Sequence, residues 1–131
     1  MLLDLPPPRL RVYARETVIA EKFQAIVAFG LNNTRLKDYY DIWLLARSYE
    51  FVGDRLPLAI AATFARRNTP IPVDPPDGLT LEYAQDRARV QQWAAFVRDV
   101  GVPPGSLPEL IAEIRAFLMP HAAQARTRFS I

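Results

Sequence analysis

Residues Tyr13–Leu45 read YARETVIAEKFQAIVAFGLNNTRLKDYYDIWLL and decide how this chain is organised. Two apolar-periodic runs flank a short polar turn, GLNNT, at residues 30–34. The first predicts a helix over Arg15–Phe29, ended by Gly30, because glycine readily takes the left-handed conformation that closes a helix. Leu31, Asn32 and Asn33 form the turn, and Thr34 is the expected N-cap of a second helix reaching Tyr49. Both lysines of the protein, Lys22 and Lys37, fall in this stretch, whereas its fourteen arginines are spread along the chain.

Each helix carries charge where its neighbours are apolar. On a wheel of about 100° per residue, Val18, Ile19, Phe23, Ile26, Val27 and Phe29 span one arc, and Lys22 falls inside it. Glu21 and Gln24 fall on the opposite side. A buried ammonium without a partner costs several kcal/mol, so Lys22 must snorkel, pair with an acid or line a cleft. On the second helix Asp38 lies at the apolar edge beside Ile42, Leu45 and Tyr49. Asp41 shares the polar strip with Lys37, four residues away, a surface pair of small energy. Asp38 is therefore expected half-buried and facing Lys22, and Asp41 solvated. Two readings stay open: a structural ion pair across packed helices, or a cleft lysine poised for phosphate with an acid to hold it.

Working outward, Pro6, Pro7 and Pro8 suggest an extended lead-in, and Arg9–Tyr13 (RLRVY) alternates as a short strand would. A third helix is expected over Arg55–Arg67, with Pro57 tolerated in its first turn. Asn68–Gly78, NTPIPVDPPDG, holds four prolines in eleven residues and reads as a semi-rigid surface connection. Thr80 caps a helical region running to Val100, broken near Gln85 or Asp86. Ser106 with Glu109 forms a capping box that opens a last helix over Leu107–Leu118, which Pro120 ends. The expected fold class is all-α, with about five helices and one short N-terminal strand. It is read as one domain over residues 1–131: a lead-in at 1–14, the motif-bearing helix pair at 15–49, and further helices at 54–125.

Composition narrows the function. The chain has 131 residues, half of them hydrophobic, and a formal net charge of +2, as in an ordinary globular domain. It has no cysteine and one histidine, His121, which makes thiolate metal sites impossible and a zinc site or serine–histidine–acid triad improbable. No apolar run nears the roughly 20 residues needed to cross a bilayer, and the start MLLDLPPP lacks a signal peptide's basic region. The expected location is the cytoplasm. Trp43 and Trp93 read as core anchors, and Tyr39 and Tyr40 as packing residues. Arg66, Arg67, Arg126 and Arg128 read as solvated helix-end cations, and His121 as a capping or solvent-facing side chain.

Two coupled motifs add to this reading. Glu16-Thr17-Val18-Ile19-Ala20-Glu21-Lys22-Phe23, followed by Arg35-Leu36-Lys37-Asp38-Tyr39-Tyr40-Asp41, closely resembles the helical second half of the AbiEii/AbiGii-type nucleotidyltransferase toxins. The resemblance covers most of the chain. It implies that Lys22 matches the motif lysine and Asp38 the first aspartate after it, the two catalytic candidates. It also implies supporting or substrate-binding roles for Glu16, Arg35, Lys37 and Asp41. A lysine suits a triphosphate, since nucleotidyl transfer depends on positioning and charge neutralisation, and a neighbouring aspartate can orient that lysine or activate the acceptor hydroxyl. In that family a Gly-Ser motif with spaced acids holds magnesium. Here the one Gly-Ser pair, Gly105-Ser106, is followed by Leu107-Pro108, and no Asp-x-Asp or Asp-x-Glu occurs.

The expectation is thus a C-terminal helical portion of a nucleotidyltransferase toxin-like protein, inactive alone. It implies no metal ligands and no cofactor in this chain, with Mg2+ and NTP belonging to the complete enzyme. Its partners would be an N-terminal nucleotidyltransferase domain, an antitoxin, an RNA acceptor and a second copy paired through residues 2–13. The alternative is a non-catalytic binding module or structural helical domain that contacts an antitoxin, RNA or itself.

Overall fold

The structure, a computed structural model, describes the backbone of residues 8–129 and the side chains of residues 14–129. Six α-helices occur in this region: α1 Pro8–Phe29, α2 Leu36–Ser48, α3 Arg55–Arg66, α4 Leu81–Gln85, α5 Arg87–Val97 and α6 Leu107–Arg128. Two single 3-10 turns, Gly30–Asn32 and Asp77–Leu79, complete the regular elements. The fold is all-α.

The strand expected over Arg9–Tyr13 is corrected: these residues form the first turns of α1. Five alternating residues are too few to separate a period of two from one of 3.6, and Pro8 suits a helix start, where a missing N–H costs nothing. Pairing of two copies through residues 2–13 therefore has no strand edge at Arg9–Tyr13 to use. Residues 2–7 of that expected contact lie outside the described residues.

Gly30 ends α1 at φ +57°, the left-handed conformation expected there. Thr34 does not cap α2. Arg35 holds the N-cap position, and its N–H donates to the Asn33 side chain at 3.0 Å, so an Asx-type turn replaces the cap. Thr80 accepts from the Tyr83 N–H and caps α4, while Asp86 accepts from the Arg89 N–H and opens α5. The break expected near Asp86 is therefore a cap on a new helix. The capping box of Ser106 and Glu109 is present.

Pro120 does not end α6, which runs on to Arg128. Leu118, Ala122 and Ala125 on this helix are fully buried, Arg126 donates to the Pro72 carbonyl and Arg128 pairs with Asp54. Those contacts outweigh the ~3 kcal/mol that an interior proline costs a helix.

The core lies where α1, α2, α3 and α6 meet, with α1 packed chiefly on α3. Phe23 meets Phe64 at 5.2 Å, and Tyr39 stacks on Tyr83 at 5.1 Å. Trp43 and Trp93 are buried anchors whose indole N–H groups donate to Glu113 and to the Gly105 carbonyl. Gly78 is buried against Ile26 and Tyr39, and its carbonyl accepts from the Tyr39 hydroxyl at 2.8 Å. The proline-rich connection is thus pinned to the core at its end.

Candidate functional site

Helices α1 and α2 form an antiparallel hairpin: Lys22 meets Asp38 near the turn, and Arg15 lies over the Tyr49 ring at the far end. The short turn at Gly30 makes this register inevitable, since sixteen residues separate Lys22 from Asp38 across one reversal. Lys22 Nζ donates to Asp38 Oδ1 at 3.1 Å. It also lies 3.2 Å from Asp41 Oδ2. Arg35 Nε faces Asp38 Oδ2 at 3.1 Å, and Lys37 Nζ reaches Asp41 Oδ2 at 2.7 Å. Five charges alternate along one ridge: Arg35, Asp38, Lys22, Asp41, Lys37. Three cations against two carboxylates leave the ridge at +1.

Burial grades these groups. The Asp38 side chain is 4% exposed, Lys22 and Asp41 are each 21% exposed, and Lys37 is 72% exposed. Asp38 is more deeply buried than the wheel indicates, and Asp41 is not the solvated partner of Lys37 alone but a second acid on Lys22. Both oxygens of Asp38 face cations. Its Oδ2 makes no aligned hydrogen bond, so Arg35 holds it by charge. For Lys22, burial is the largest single influence and favours the neutral amine, but hydrogen bonds and charges from Asp38 and Asp41 together outweigh it. The net effect raises the Lys22 pKa above the ordinary 10.5, and the ammonium stays charged.

Not every sequence candidate joins this cluster. Glu16 is buried, with Oε1 lacking a hydrogen-bond partner. It lies roughly 9 Å along the helix axis from Lys22 and takes no part in the ridge. Glu21 turns toward α3, where Arg66 and Arg67 both pair with it, so these arginines are engaged rather than free helix-end cations. Gln24, expected on the polar side, is buried and donates to Thr69 at 2.9 Å. Conversely Val18 and Phe29, expected in the apolar arc, are 41% and 51% exposed. The covered face of α1 is rotated toward α3, which a single-helix wheel cannot foresee. Tyr39 and Tyr40 are buried and donate to the carbonyls of Gly78 and Val102, as packing residues do. His121 neither caps nor faces solvent. It is half-buried against Phe117, and burial lowers its pKa.

Clefts open on both sides of the ridge. One, of about 610 Å³, runs along α1 between Arg67 and the pair Arg35–Asp38, with Val18, Ala25, Ala28 and Phe29 among its lining. The second, of about 580 Å³, adds Thr34, Lys37, Gln92 and Phe96. Both volumes fall within the roughly 300–1,000 Å³ of small-molecule sites. Arg67, Phe29, Gln92 and Phe96 carry no motif signal, and only the packing of α3 and α5 brings them to the ridge.

Magnesium does not fit this chain's own groups. Asp38 and Asp41 are committed to cations, and among the described residues no cluster of three or more potential ligands is placed to hold a metal. No described helix is long and apolar enough to cross a membrane.

Fold and ridge together define an all-α module that holds a charged lysine against a buried aspartate between two basic clefts. The chain belongs to the AbiEii nucleotidyl transferase toxin family, of the type IV toxin–antitoxin system, whose model matches residues 1–124. No curated protein and no solved structure matches it.

Proposed function

We propose that this chain supplies the helical portion of an NTP-dependent nucleotidyltransferase site, with RNA as the acceptor, in a cytoplasmic toxin–antitoxin or phage-defence setting. The observation that carries it is the 3.1 Å contact of Lys22 with Asp38 at the mouth of two basic clefts, at the positions where the motifs match. Lys22 is the phosphate-binding candidate. Asp38 is a positioning residue: with both oxygens on cations it orients Lys22 and Arg35 and is poorly placed to take a proton from an acceptor. Arg35 and Lys37, at 60% and 72% exposure, are free enough to meet an anion, while Asp41 shares the load on Lys22. The metal would be held by a sheet carrying a Gly-Ser motif and paired acids, which this sequence does not contain, and Mg2+ and NTP would enter with that partner. An antitoxin is the further partner that this setting implies.

The test is incubation of the chain with labelled NTPs, Mg2+ and total tRNA. The chain alone is expected to give no labelling above a blank, and adding the Gly-Ser sheet to give labelling that Lys22→Ala abolishes. Strong Lys22-dependent labelling by the chain alone would overturn the division of the site. A second reading, a non-catalytic module that binds an antitoxin or RNA, draws support from the full commitment of both aspartates to cations. It predicts no labelling even with the sheet added.

A further inference from the structure

The turn between α1 and α2 is held from outside the hairpin. Arg89, on α5, donates to the Leu31 carbonyl and, at 3.2 Å, to the Tyr83 carbonyl, with its guanidinium 3.8 Å from the centre of the Tyr83 ring. The Tyr83 hydroxyl donates to the Asn33 carbonyl at 2.6 Å, so two carbonyls of the turn end on α4 and α5. Carbonyls left over where a helix ends need partners, and stability alone accounts for that much. Asn33 does more. It is 1% exposed, its side-chain amide donates to the Tyr39 hydroxyl at 3.4 Å, and its side-chain oxygen accepts the Arg35 N–H at 3.0 Å. One residue is thus gripped by Tyr83 through its main chain and fixes, through its side chain, where α2 begins.

Arg35 is also the cation on Asp38 Oδ2, an oxygen with no aligned hydrogen bond of its own. Displacing Arg35 therefore displaces the charge that holds Asp38. We infer that Asn33, Tyr83 and Arg89 are positioning residues for the charged pair, clamping the turn so that Asp38, and not Asp41 alone, meets Lys22. This inference rests on the reading of Lys22 and Asp38 as the functional pair and adds the residues that set its geometry. None of the three lines either cleft beside the ridge, so they act on the pair only through the turn. With the clamp released, the first turn of α2 frays, Arg35 leaves Asp38, and Lys22 falls back on Asp41.

The chain has only two lysines, so acetylation reads this geometry directly. Each variant is checked for folding by circular dichroism and treated with acetic anhydride at mildly alkaline pH. Peptide mass spectrometry then gives the separate rates at Lys22 and Lys37. Only an accessible, neutral amine reacts, so Lys22, 21% exposed and held by two carboxylates, is expected to react far more slowly than Lys37, 72% exposed. Tyr83→Phe, which keeps the ring stack, and Arg89→Ala should each raise the Lys22 rate roughly fivefold, the weight of one buried hydrogen bond, and leave Lys37 unchanged. Asn33→Ser, whose hydroxyl can still accept the Arg35 N–H, should protect Lys22 better than Asn33→Ala. Ile114→Val, a core change beside Ala46 and Phe117, controls for lost stability and should leave the Lys22 rate at the wild-type value. Arg89 is only partly buried, so its variant carries the test even where a Tyr83 or Asn33 variant fails to fold. A Lys22 rate unmoved by Arg89→Ala, or raised equally by Ile114→Val, would reduce the clamp to a structural brace and overturn the inference. The amine's own reactivity judges the clamp independently of the labelling that judges nucleotidyl transfer.

Discussion

Replacing Asp38 by alanine gives the sharpest test of the charged ridge. Removing one partner of a fully buried ion pair typically costs about 3–5 kcal/mol, because the other charge is left desolvated. The structure argues for less. Lys22 keeps Asp41 at 3.2 Å and is 21% exposed, so solvent and the second acid recover part of the loss. Arg35, 60% exposed, simply turns to water. The expected cost of Asp38→Ala is therefore ~2–3 kcal/mol, against about 0.5–1 kcal/mol for Asp41→Ala, whose main contact with Lys37 is a surface pair. At roughly 4 °C per kcal/mol for a domain of this size, the first lowers Tm by about 10 °C and the second by a few degrees. Urea denaturation of both variants measures the costs directly, and a double-mutant cycle with Lys22→Met and Asp38→Asn isolates the pair. A coupling of at least ~1 kcal/mol is expected. Equal losses for the two alanine variants, or coupling within error of zero, would refute the view that Asp38 is the buried member that holds Lys22.

Four further outcomes follow from the packing. Gly78→Ala should cost about 1–3 kcal/mol, because a Cβ there meets Ile26 and the Tyr39 hydroxyl at 2.9 Å; Gly101→Ala, with nothing within 4 Å, serves as the control. Pro120→Ala should stabilise the protein by roughly 1–2 kcal/mol in thermal melts, since the residue is exposed and interrupts a helix that continues past it. The His121 pKa is lowered in the folded state, so the unfolded chain binds the extra proton and stability is lost as pH falls below 6.5; in urea titrations His121→Leu should flatten that acid limb. The pKa values of Lys22 and Tyr39 are raised, the first by its two carboxylates against burial and the second chiefly by burial, so their contributions hold at neutral pH and fade above about pH 10; Tyr39→Phe should weaken the alkaline fall.

The local signals that survive folding are those whose physics is local. Gly30 closes α1, Thr80 and Ser106 cap the helices after them, and Asp86 divides α4 from α5, because backbone conformation and side-chain capping act within a turn of the chain. The meeting of Lys22 with Asp38 was legible for a similar reason, since two helices joined by so short a connection, residues 30–35, lie side by side. The AbiEii family could likewise be read from two ordered motifs in one hairpin, and the match over residues 1–124 bears it out.

Other features depended on contacts between distant residues. RLRVY joins a helix because the residues after it carry the period on, and α6 passes through Pro120 because Ala122, Ala125 and Arg126 have partners beyond it. The rotation of α1 that buries Gln24 and exposes Phe29 is set by α3. Asp41 becomes a second acid on Lys22, and Arg67 reaches the cleft through Glu21, by the same packing. Sequence alone determined most of the helices, the helix ends at Gly30, Thr80, Asp86 and Ser106, and the charged pair. Tertiary structure decided which face of α1 stays open, because burial is a property of the surfaces that meet and no single helix contains that information.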